Sequence, residues 1–320
     1  MSLYISITNA QGPIQINTLL TSPALLAGLK AAAEPTRLRL LRICAQGELT
    51  VGEITRVIAQ SQPRVSRHLK ILCDAGLLVR FRERHWVFYR VPQRGPEAEL
   101  AGNILQNLDI EDSEFLVDQQ RLEDVLAERA ELASVYTADL RQPSVSDEQL
   151  SAAVRKLLGS RSVGDLLDIG TGTGRLLRFL GESADQAVGV DISSKMLLVA
   201  RTNLQAAGLN QCMVRHANMY QMPFTDGSFD TITIDDVLNE TENPAAAVAE
   251  AARILRATGC LLLIEKIQSA GGVTDLENSG PRRWLRDAGL ACSATVLVPE
   301  KNPAIALCLG QKKGSAERAA

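Results

Sequence analysis

The chain has 320 residues, of which 46% are hydrophobic and 22% charged, as in ordinary soluble globular proteins, and its net charge is −3. It has neither a secretory leader nor an apolar run of about 18 residues, so we expect a cytoplasmic protein without a membrane anchor. Six scattered cysteines without a Cys-x-x-Cys pair, and only three histidines, argue against a disulfide framework and against a metal site.

Basic residues concentrate near the N-terminus. Residues 1–96 carry 13 Lys/Arg against 5 Asp/Glu, so this part has a net charge of +8 and the remaining 224 residues carry −11. A chain of this length suits two domains of ordinary size. The asymmetry indicates that one domain meets a polyanion and the other does not.

The basic part shows alternating helical and period-two patterns. Residues 1–22 lack a strong periodicity, and we interpret them as a flexible arm. The elements predicted next are helices over 23–44 with a break at Pro35, from about Thr50 to 58 and from Ser61 to about Ala75, followed by strands over 77–82 and 86–91. Helices joined by a tight turn and followed by a hairpin predict a winged helix-turn-helix domain over 23–96.

The helix that begins at Ser61 has two different faces. Its apolar residues share one side, while polar and basic residues project on the other, and further cations lie on the hairpin. The candidate DNA contacts are Arg64, Ser66, Arg67 and Lys70 on the helix, with Arg82 and Arg84 on the hairpin. Donors on a major-groove helix and cations on a wing are what base and phosphate recognition require. The alternative is a solvated helix face in a protein-interaction domain.

Several motifs in this part resemble the ArsR/SmtB family of dimeric winged-helix repressors. They are Glu34-Pro35-Thr36-Arg37-Leu38-Arg39-Leu40-Leu41, Ser61–Leu72, Ala75-Gly76-Leu77-Leu78 and Trp86-Val87-Phe88-Tyr89-Arg90. The resemblance implies a homodimer that binds a double-stranded DNA operator and adds two residues, Gln62 and His68, to the reading helix. Metal-sensing members carry two cysteines where this chain has Thr50 and Gly52, so an arsenite or zinc switch is not expected at this place.

Residues 97–146 are predicted to connect the two domains. Helices are expected over 97–108 and 113–135. The second is strongly acidic, and the segment from 109 to 131 contains nine acidic residues against two arginines. An apolar stripe on the first helix has two interpretations, a dimer seam or a contact with its own domain. The stripe comprises Leu100, Ile104, Leu105 and Leu108. Gln142-Pro143-Ser144 suggests a linker, and a helix from about Asp147 to Leu158 leads into the next domain.

From residue 147 to 311, strands alternate with helices. The expected buried strands are 166–169, 187–191, 230–234 and 260–265, the helices between them are 174–180, 194–207 and 244–255, and a terminal hairpin comprises 292–298 and 304–309. This order predicts an α/β, Rossmann-like domain with a mostly parallel sheet and a terminal β-hairpin, next to the all-α winged-helix domain. Residues 312–320 are interpreted as a tail.

Three alternating glycines follow the first of these strands. Gly170, Gly172 and Gly174 open a helix, and Asp191 ends the next strand 17 residues after the last glycine. Glycines allow a ligand to approach the backbone closely, and a carboxylate at the tip of the second strand accepts hydrogen bonds from a ribose diol. The pattern indicates a nucleotide or nucleoside crevice, and NAD remains one of the ligands that it would suit.

Longer motifs in this domain resemble class I S-adenosylmethionine-dependent methyltransferases. They are 166–174, 190–193, Met222-Pro223-Phe224-Thr225-Asp226-Gly227-Ser228-Phe229-Asp230 and Ala251–Arg256. The resemblance favours the methyl donor over NAD and implies a set of cofactor-binding residues. The set is Asp168, Gly170, Thr171, Gly172, Gly174, Asp191, Ile192, Ala217, Asn218, Met219 and Asp235. Asn218 replaces an aspartate found in many members, and its amide oxygen can still accept from the adenine amine.

No catalytic residue is assigned, because methyl transfer depends mainly on positioning. Residues 235–240 lack the Asp/Asn-Pro-Pro-aromatic block of nucleic-acid amino-methyltransferases, and the chain lacks the Pro-Cys nucleophile of the cytosine type. The aromatic segment that covers the cofactor in related fusions is shortened to 135–141. The sequence therefore predicts a regulator that responds to S-adenosylmethionine or S-adenosylhomocysteine. The main alternative is a small-molecule methyltransferase whose winged helix serves autoregulation or dimerisation, and the third is a protein-interaction scaffold.

Overall fold

A computed structural model describes residues 19–138, 140, 143–267, 280–301 and 303–312. Most of the expected arm, up to residue 18, lies outside these ranges, as do residues 313–320 of the expected tail and positions 139, 141 and 142 of the expected cofactor cover and linker. None of the helices in the described ranges has the length and apolar character needed to cross a membrane.

The N-terminal part is a winged helix-turn-helix. Its elements are α1 (Ser22–Ala32), α2 (Pro35–Cys44), β1 (Leu49–Thr50), α3 (Val51–Ile58), α4 (Gln62–Asp74), β2 (Val79–Glu83) and β3 (Trp86–Arg90). The strands form an antiparallel sheet in the order β1-β3-β2. Thr50 caps α3, because its hydroxyl accepts from the Glu53 amide while the Glu53 carboxylate accepts from the Thr50 amide.

Two further helices, α5 (Pro96–Gln106) and α6 (Ser113–Thr137), follow the wing. Both pack against the winged helix. Leu122 and Val125 of α6 join its core, and three residues of the expected apolar stripe, Leu100, Ile104 and Leu105, are partly buried against the same core. Arg39 also binds Asp118 of α6 at 2.6 Å. The segment expected to connect two domains therefore completes the apolar core of the first.

The C-terminal part is a seven-stranded sheet with helices on both faces. Its elements are α7 (Asp147–Leu158), β4 (Gly164–Ile169), α8 (Arg175–Leu180), β5 (Ala184–Asp191), α9 (Ser194–Ala206), β6 (Met213–His216), β7 (Phe229–Asp235), α10 (Pro244–Ile254), β8 (Leu255–Lys266), α11 (Gly280–Asp287), β9 (Leu290–Val298) and β10 (Ile305–Lys312). The strand order is β6-β5-β4-β7-β8-β10-β9.

The strands from β4 to β8 are parallel, and β10 and β9 form an antiparallel hairpin at one edge. Neighbouring residues of one strand enter opposite apolar layers, since Leu166 belongs to one cluster and Leu167 to the other. The expected fold class, a winged helix-turn-helix joined to a Rossmann-like domain with a mostly parallel sheet and a terminal hairpin, is confirmed; the N-terminal part is mainly helical and includes the small sheet of the wing.

Candidate functional site

The carboxyl ends of the parallel strands meet at one edge of the sheet, and each of the four central strands brings an acidic residue there. These residues are Asp168 at the end of β4, Asp191 on β5, Asp235 on β7 and Glu265 on β8. In a doubly wound sheet, ligands bind in the crevice beyond this edge. The glycine loop and α8 follow Asp168 directly.

The glycine loop has backbone angles that favour glycine. Gly170, Gly172 and Gly174 have φ angles of +70°, +52° and +79°. A Cβ atom on Gly170 would lie 2.6 Å from a methyl carbon of Val237, so a side chain would also clash there. A Cβ on Gly172 would meet nothing closer than 3.9 Å, because this part of the loop faces open space.

Asp191 links the glycine loop to the start of α9. Its carboxylate accepts from the Gly172 amide at 3.0 Å and from the Ser193 amide at 2.8 Å. A carboxylate offers about four acceptor positions, so two remain for the hydroxyls of a ribose. The remaining acceptor positions of Asp191 and the open loop beside it fit the ribose of an adenosyl ligand.

The segment expected to read adenine adjoins Asp191. The Ala217 amide donates to the Asp191 carbonyl at 3.2 Å, and the Asn218 and Ile192 side chains beside it are exposed. The Asn218 side-chain oxygen already accepts from the Tyr220 amide at 3.0 Å, and Met219 is partly buried. The structure therefore brings the expected ribose and adenine residues together.

Asp168 is buried beneath the loop, where its carboxylate accepts from the hydroxyls of Thr171 at 2.7 Å and Thr233 at 2.6 Å. Burial raises the pKa of Asp168 to about 6, although these hydrogen bonds oppose the rise. Asp168 thus anchors Thr171 and the glycine loop to β7.

A second region of the crevice lies beside Asp235. A cavity of about 400 Å³ is lined there by Arg175, Asp235, Glu265, Lys266 and residues 143–145. Burial raises the pKa of Asp235 and of Glu265 to about 7, and neighbouring carboxylates add to both shifts. Glu265, which sequence analysis missed, also accepts from the Leu238 amide at 2.8 Å.

The residues expected to contact DNA on α4 fall into two groups. Gln62, Arg64, Arg67 and Lys70 are exposed, Ser66 is partly exposed, and Lys70 forms an ion pair with Asp74 on the same helix. The His68 side chain, in contrast, is only 13% exposed, and its Nδ1 atom lies 3.5 Å from Glu34. His68 points into the domain and is not part of the exposed face.

The two wing arginines also differ. Both are exposed, but the Arg84 guanidinium also lies 3.1 Å from Nε2 of His216 in the second domain. His216 precedes Ala217, so the tip of the wing contacts the strand that leads into the expected adenine segment. The contact has no local signal in the sequence, since 132 residues separate its partners.

A buried ion network joins the two parts of the chain. The Glu48 carboxylate forms ion pairs with Arg90 at 3.4 Å, with Arg201 at 2.9 Å and with Arg215. Arg201 also pairs with Glu83 of the wing at 2.7 Å. Burial alone would raise the pKa of Glu48, but Arg215, Arg201 and Arg90 outweigh it and lower the pKa below its usual value. We call this set the junction network.

Aromatic rings of the wing cover the junction network. Phe81 and Phe88 stack with their centroids 5.3 Å apart, Arg201 lies 4.0 Å from the Phe88 centroid and Arg215 lies 3.3 Å from that of Phe81. One face of the wing is thus occupied by α9 and β6.

In the described part of the chain, no group of His, Cys, Asp and Glu side chains is arranged to hold a metal ion.

Comparisons with known proteins agree with the two-part architecture. Residues 34–79 match the family model for bacterial regulatory proteins of the arsR family, and residues 167–263 match that for a methyltransferase domain. The sequence interpretation of the two regions as an ArsR-type winged helix and a methyltransferase domain is confirmed.

Individual relatives match one part each. The arsenic resistance transcriptional regulator ArsR1 of Pseudomonas putida is 41% identical over 80 residues, which are 25% of this chain and 60% of that protein. A demethylmenaquinone methyltransferase of Clavibacter sepedonicus is 32% identical over 140 residues, which are 42% of this chain and 55% of that protein. The chain thus spans between half and two thirds of the length of these relatives.

Among solved structures, an S-adenosylmethionine-dependent methyltransferase from Aquifex aeolicus is similar, with 20% identity and a TM-score of 0.44. The match covers 58% of this chain and 97% of that one.

Proposed function

We propose that this chain, which joins an ArsR-type winged helix to a methyltransferase domain, is a cytoplasmic transcriptional regulator whose affinity for operator DNA depends on S-adenosylmethionine or S-adenosylhomocysteine. The observation that carries the proposal is the position of α9. The amide of Ser193, the residue that caps α9, donates to the Asp191 carboxylate. Arg201 in the middle of the same helix binds Glu83 of the wing. One helix therefore contacts both the nucleoside crevice and the DNA-binding domain.

The residues that would hold the ligand are those at the sheet edge. Asp191 would accept both ribose hydroxyls, Ile192 and residues 217–219 would contact the adenine, and the glycine loop would allow close approach. Asp168 would position the loop and approach the methionine amino group, and Asp235 would face the methionine end. When bound, S-adenosylmethionine supplies an electrophilic methyl group, whereas S-adenosylhomocysteine would act as an effector only.

The DNA-binding surface would be the exposed face of α4 with Arg82 on the wing. Gln62, Arg64, Ser66 and Arg67 would read or flank bases in the major groove, and Lys70 would contact phosphate. Arg84 is shared, because its guanidinium contacts His216 beside the adenine segment. A nucleoside at that segment would change this contact and so alter the freedom of the wing to bind DNA.

A ligand changes operator affinity only if it binds the DNA-competent and DNA-incompetent states differently. The test is operator binding by fluorescence anisotropy, with duplexes selected from a random library by the protein itself. We expect saturating S-adenosylmethionine or S-adenosylhomocysteine to shift the dissociation constant about fivefold or more, the lower range of allosteric couplings. Identical curves with and without both nucleosides would refute ligand control.

Asp191→Ala separates the two halves of the proposal. Loss of two charge-assisted hydrogen bonds, each worth about 1.5–3 kcal/mol, should weaken nucleoside binding by about 100-fold or more in isothermal titration. Operator binding without ligand should remain as in the unmodified protein. Asp185→Ala, an exposed residue at the other end of the same strand, is the matched control and should change neither measurement.

We further propose that the regulator is a homodimer. Leu25, Leu26 and Leu29 on α1 are 40%, 53% and 44% exposed, and α1 packs beside α5, whose apolar stripe is only partly buried. Together these helices offer an apolar surface that a second copy would cover. Leu26→Glu should shift the protein from dimer to monomer in sedimentation velocity, and an unchanged dimer would place the contact elsewhere.

A second candidate function, methyl transfer to a small molecule, is favoured by the 400 Å³ cavity beside Asp235. Its volume suits a metabolite-sized acceptor, and a carboxylate with a pKa of about 7 suits proton transfer near neutral pH. Transfer of a radiolabelled methyl group to a metabolite extract distinguishes the two functions. A sensor gives no product above the background of the Asp191→Ala variant, whereas an enzyme gives a labelled compound.

A further inference from the structure

A second cavity, separate from the sheet edge, lies where the wing, α3, α6 and α9 meet. Its volume is about 530 Å³, within the range that accommodates drug-sized ligands. Six apolar or aromatic side chains contribute to its lining: Trp86, Phe88, Val125, Leu132, Tyr136 and Leu198. Trp86 is 60% exposed and Leu132 is 45% exposed, so much of this apolar surface meets water in the described structure.

The charges around this cavity are almost all paired. Glu53 binds Arg129, Glu83 binds Arg201 and Glu128 binds Arg56. Among the described side chains that line the cavity, Lys195 is the one cation with no carboxylate partner, and its Nζ atom lies 5.1 Å from the Tyr136 ring centroid. The cavity therefore carries one unmatched positive charge beside aromatic walls.

An unpaired hydroxyl group lies beside this positive charge. The Ser194 hydroxyl oxygen is buried and has no hydrogen-bond partner among the described residues, and Ser194 lines the cavity next to Lys195. Both residues lie in the first turn of α9, a 13-residue helix whose N-terminal end favours negative charge. An anionic group that entered here would meet a lysine and the positive end of a helix, with the unpaired Ser194 hydroxyl enclosed beside them.

We infer that the cavity between the wing and α9 is a binding site for an aromatic carboxylate of two or three fused rings. The rings would pack between Trp86, Phe88 and Leu198, and the carboxylate would pair with Lys195 at the start of α9. The volume accommodates a ligand of this size, and a cation would meet Lys195 without a free carboxylate to pair with. This site goes beyond the proposed function, since it requires neither operator nor nucleoside.

The test compares three naphthalene compounds of equal size and different charge by isothermal titration of the full chain. These are 2-naphthoate, neutral 2-naphthamide and cationic 2-naphthylmethylamine. We expect 2-naphthoate to bind at one site at least tenfold tighter than the other two. Lys195→Gln should abolish this preference. Lys156→Gln, an exposed lysine on α7 that pairs with Glu300, should leave it unchanged.

Leu132→Trp provides a second, charge-independent test. A larger side chain at this exposed edge would fill part of the cavity, so the affinity for 2-naphthoate should fall tenfold or more while the melting temperature stays the same. Absence of 2-naphthoate binding, equal affinity for all three compounds, or unchanged affinity in Leu132→Trp would each overturn the inference. Because none of these measurements uses DNA or S-adenosylmethionine, their outcome is independent of the regulatory proposal.

Discussion

Two clusters of buried carboxylates in this molecule have opposite electrostatics. In the junction network, Glu48 faces three guanidinium groups, and its pKa is lowered although the side chain is buried. At the sheet edge, burial raises the pKa of Asp235 and of Glu265 to about 7, and neighbouring carboxylates add to both shifts. In the strand order of the sheet, β5 and β4 separate Arg215 on β6 from Asp235 on β7 and Glu265 on β8.

This difference separates structure from function. A buried carboxylate with matched cations holds two parts of the chain together and stays ionised. A buried carboxylate without them changes its protonation near neutral pH, which is a property of sites that bind charged ligands or move protons. The contrast supports the proposal that S-adenosylmethionine would bind at the sheet edge.

The largest effect is expected from Glu48→Gln. The substitution keeps the shape of the side chain but leaves Arg90 and Arg215 without their carboxylate and Arg201 with Glu83 alone. Breaking a buried ion pair costs about 3–5 kcal/mol, so the urea midpoint should fall markedly. The control is Glu128→Gln, whose pair with Arg56 is exposed, and it should not move the midpoint measurably. Equal midpoints for both variants would contradict the structural role of the junction network.

The next effect is a dependence of stability on pH at the sheet edge. The pKa of Asp235 is about 7 in the folded protein and close to 3.8 when unfolded, so the folded state holds a proton that the unfolded state loses. The contribution of this residue to stability is greatest below pH 4 and is lost as pH rises to 7. Asp168 and Glu265, whose pKa values are also raised, act in the same direction.

Asp235→Asn removes the titrating group. At pH 8 the variant should be more stable than the unmodified protein by about 2 kcal/mol, less than the full shift implies because the cavity admits water. At pH 4.5 this gain should largely disappear. Denaturation at both pH values checks the prediction, with the exposed Asp185→Asn as control. A gain of equal size at both pH values would mean that the effect is not electrostatic.

The smallest effect concerns an exposed charge. Arg67 on α4 is exposed, and no ion pair to it occurs in the described part of the chain. If Arg67 reads a base, Arg67→Ala should cost about 1–3 kcal/mol on the selected operator and relax the preference at one position. Competition assays with single-base variants of the operator measure this. A loss of the same size on all sequences would make Arg67 a phosphate contact instead.

Sequence patterns were sufficient where the determinants are local. The helix expected from about Asp147 to Leu158 occurs over those residues, since Ser146 and Gln149 form a capping box before it and Gly159 follows it. The glycine spacing likewise predicted a loop whose glycines have positive φ angles, and the Gly172 amide of that loop donates to the predicted acid on β5. The short strand β6 and the polar helix α11 were missed, because four residues give little periodicity and α11 buries only Pro281, Trp284 and Leu285.

The junction network could not be predicted, because its partners are far apart in the sequence. Glu48 and Arg201 are separated by 153 residues, and a buried arginine in a helix gives the same local pattern as an exposed one. For the same reason the basic wing suggested a surface wholly available to DNA, whereas one face of it packs against α9 and β6. His68 likewise matched a motif, but its side chain lies against Glu34, the residue that caps α2.

The inward face of the wing has a practical consequence for anyone who expresses the winged helix alone. A fragment that ends near residue 138 would uncover the stacked rings of Phe81 and Phe88, and it would leave Glu83 without its guanidinium. Such a fragment should be prone to aggregate at concentrations where the intact chain stays dispersed. Phe81→Lys, which removes one of the two uncovered rings, should reduce the aggregation of this fragment.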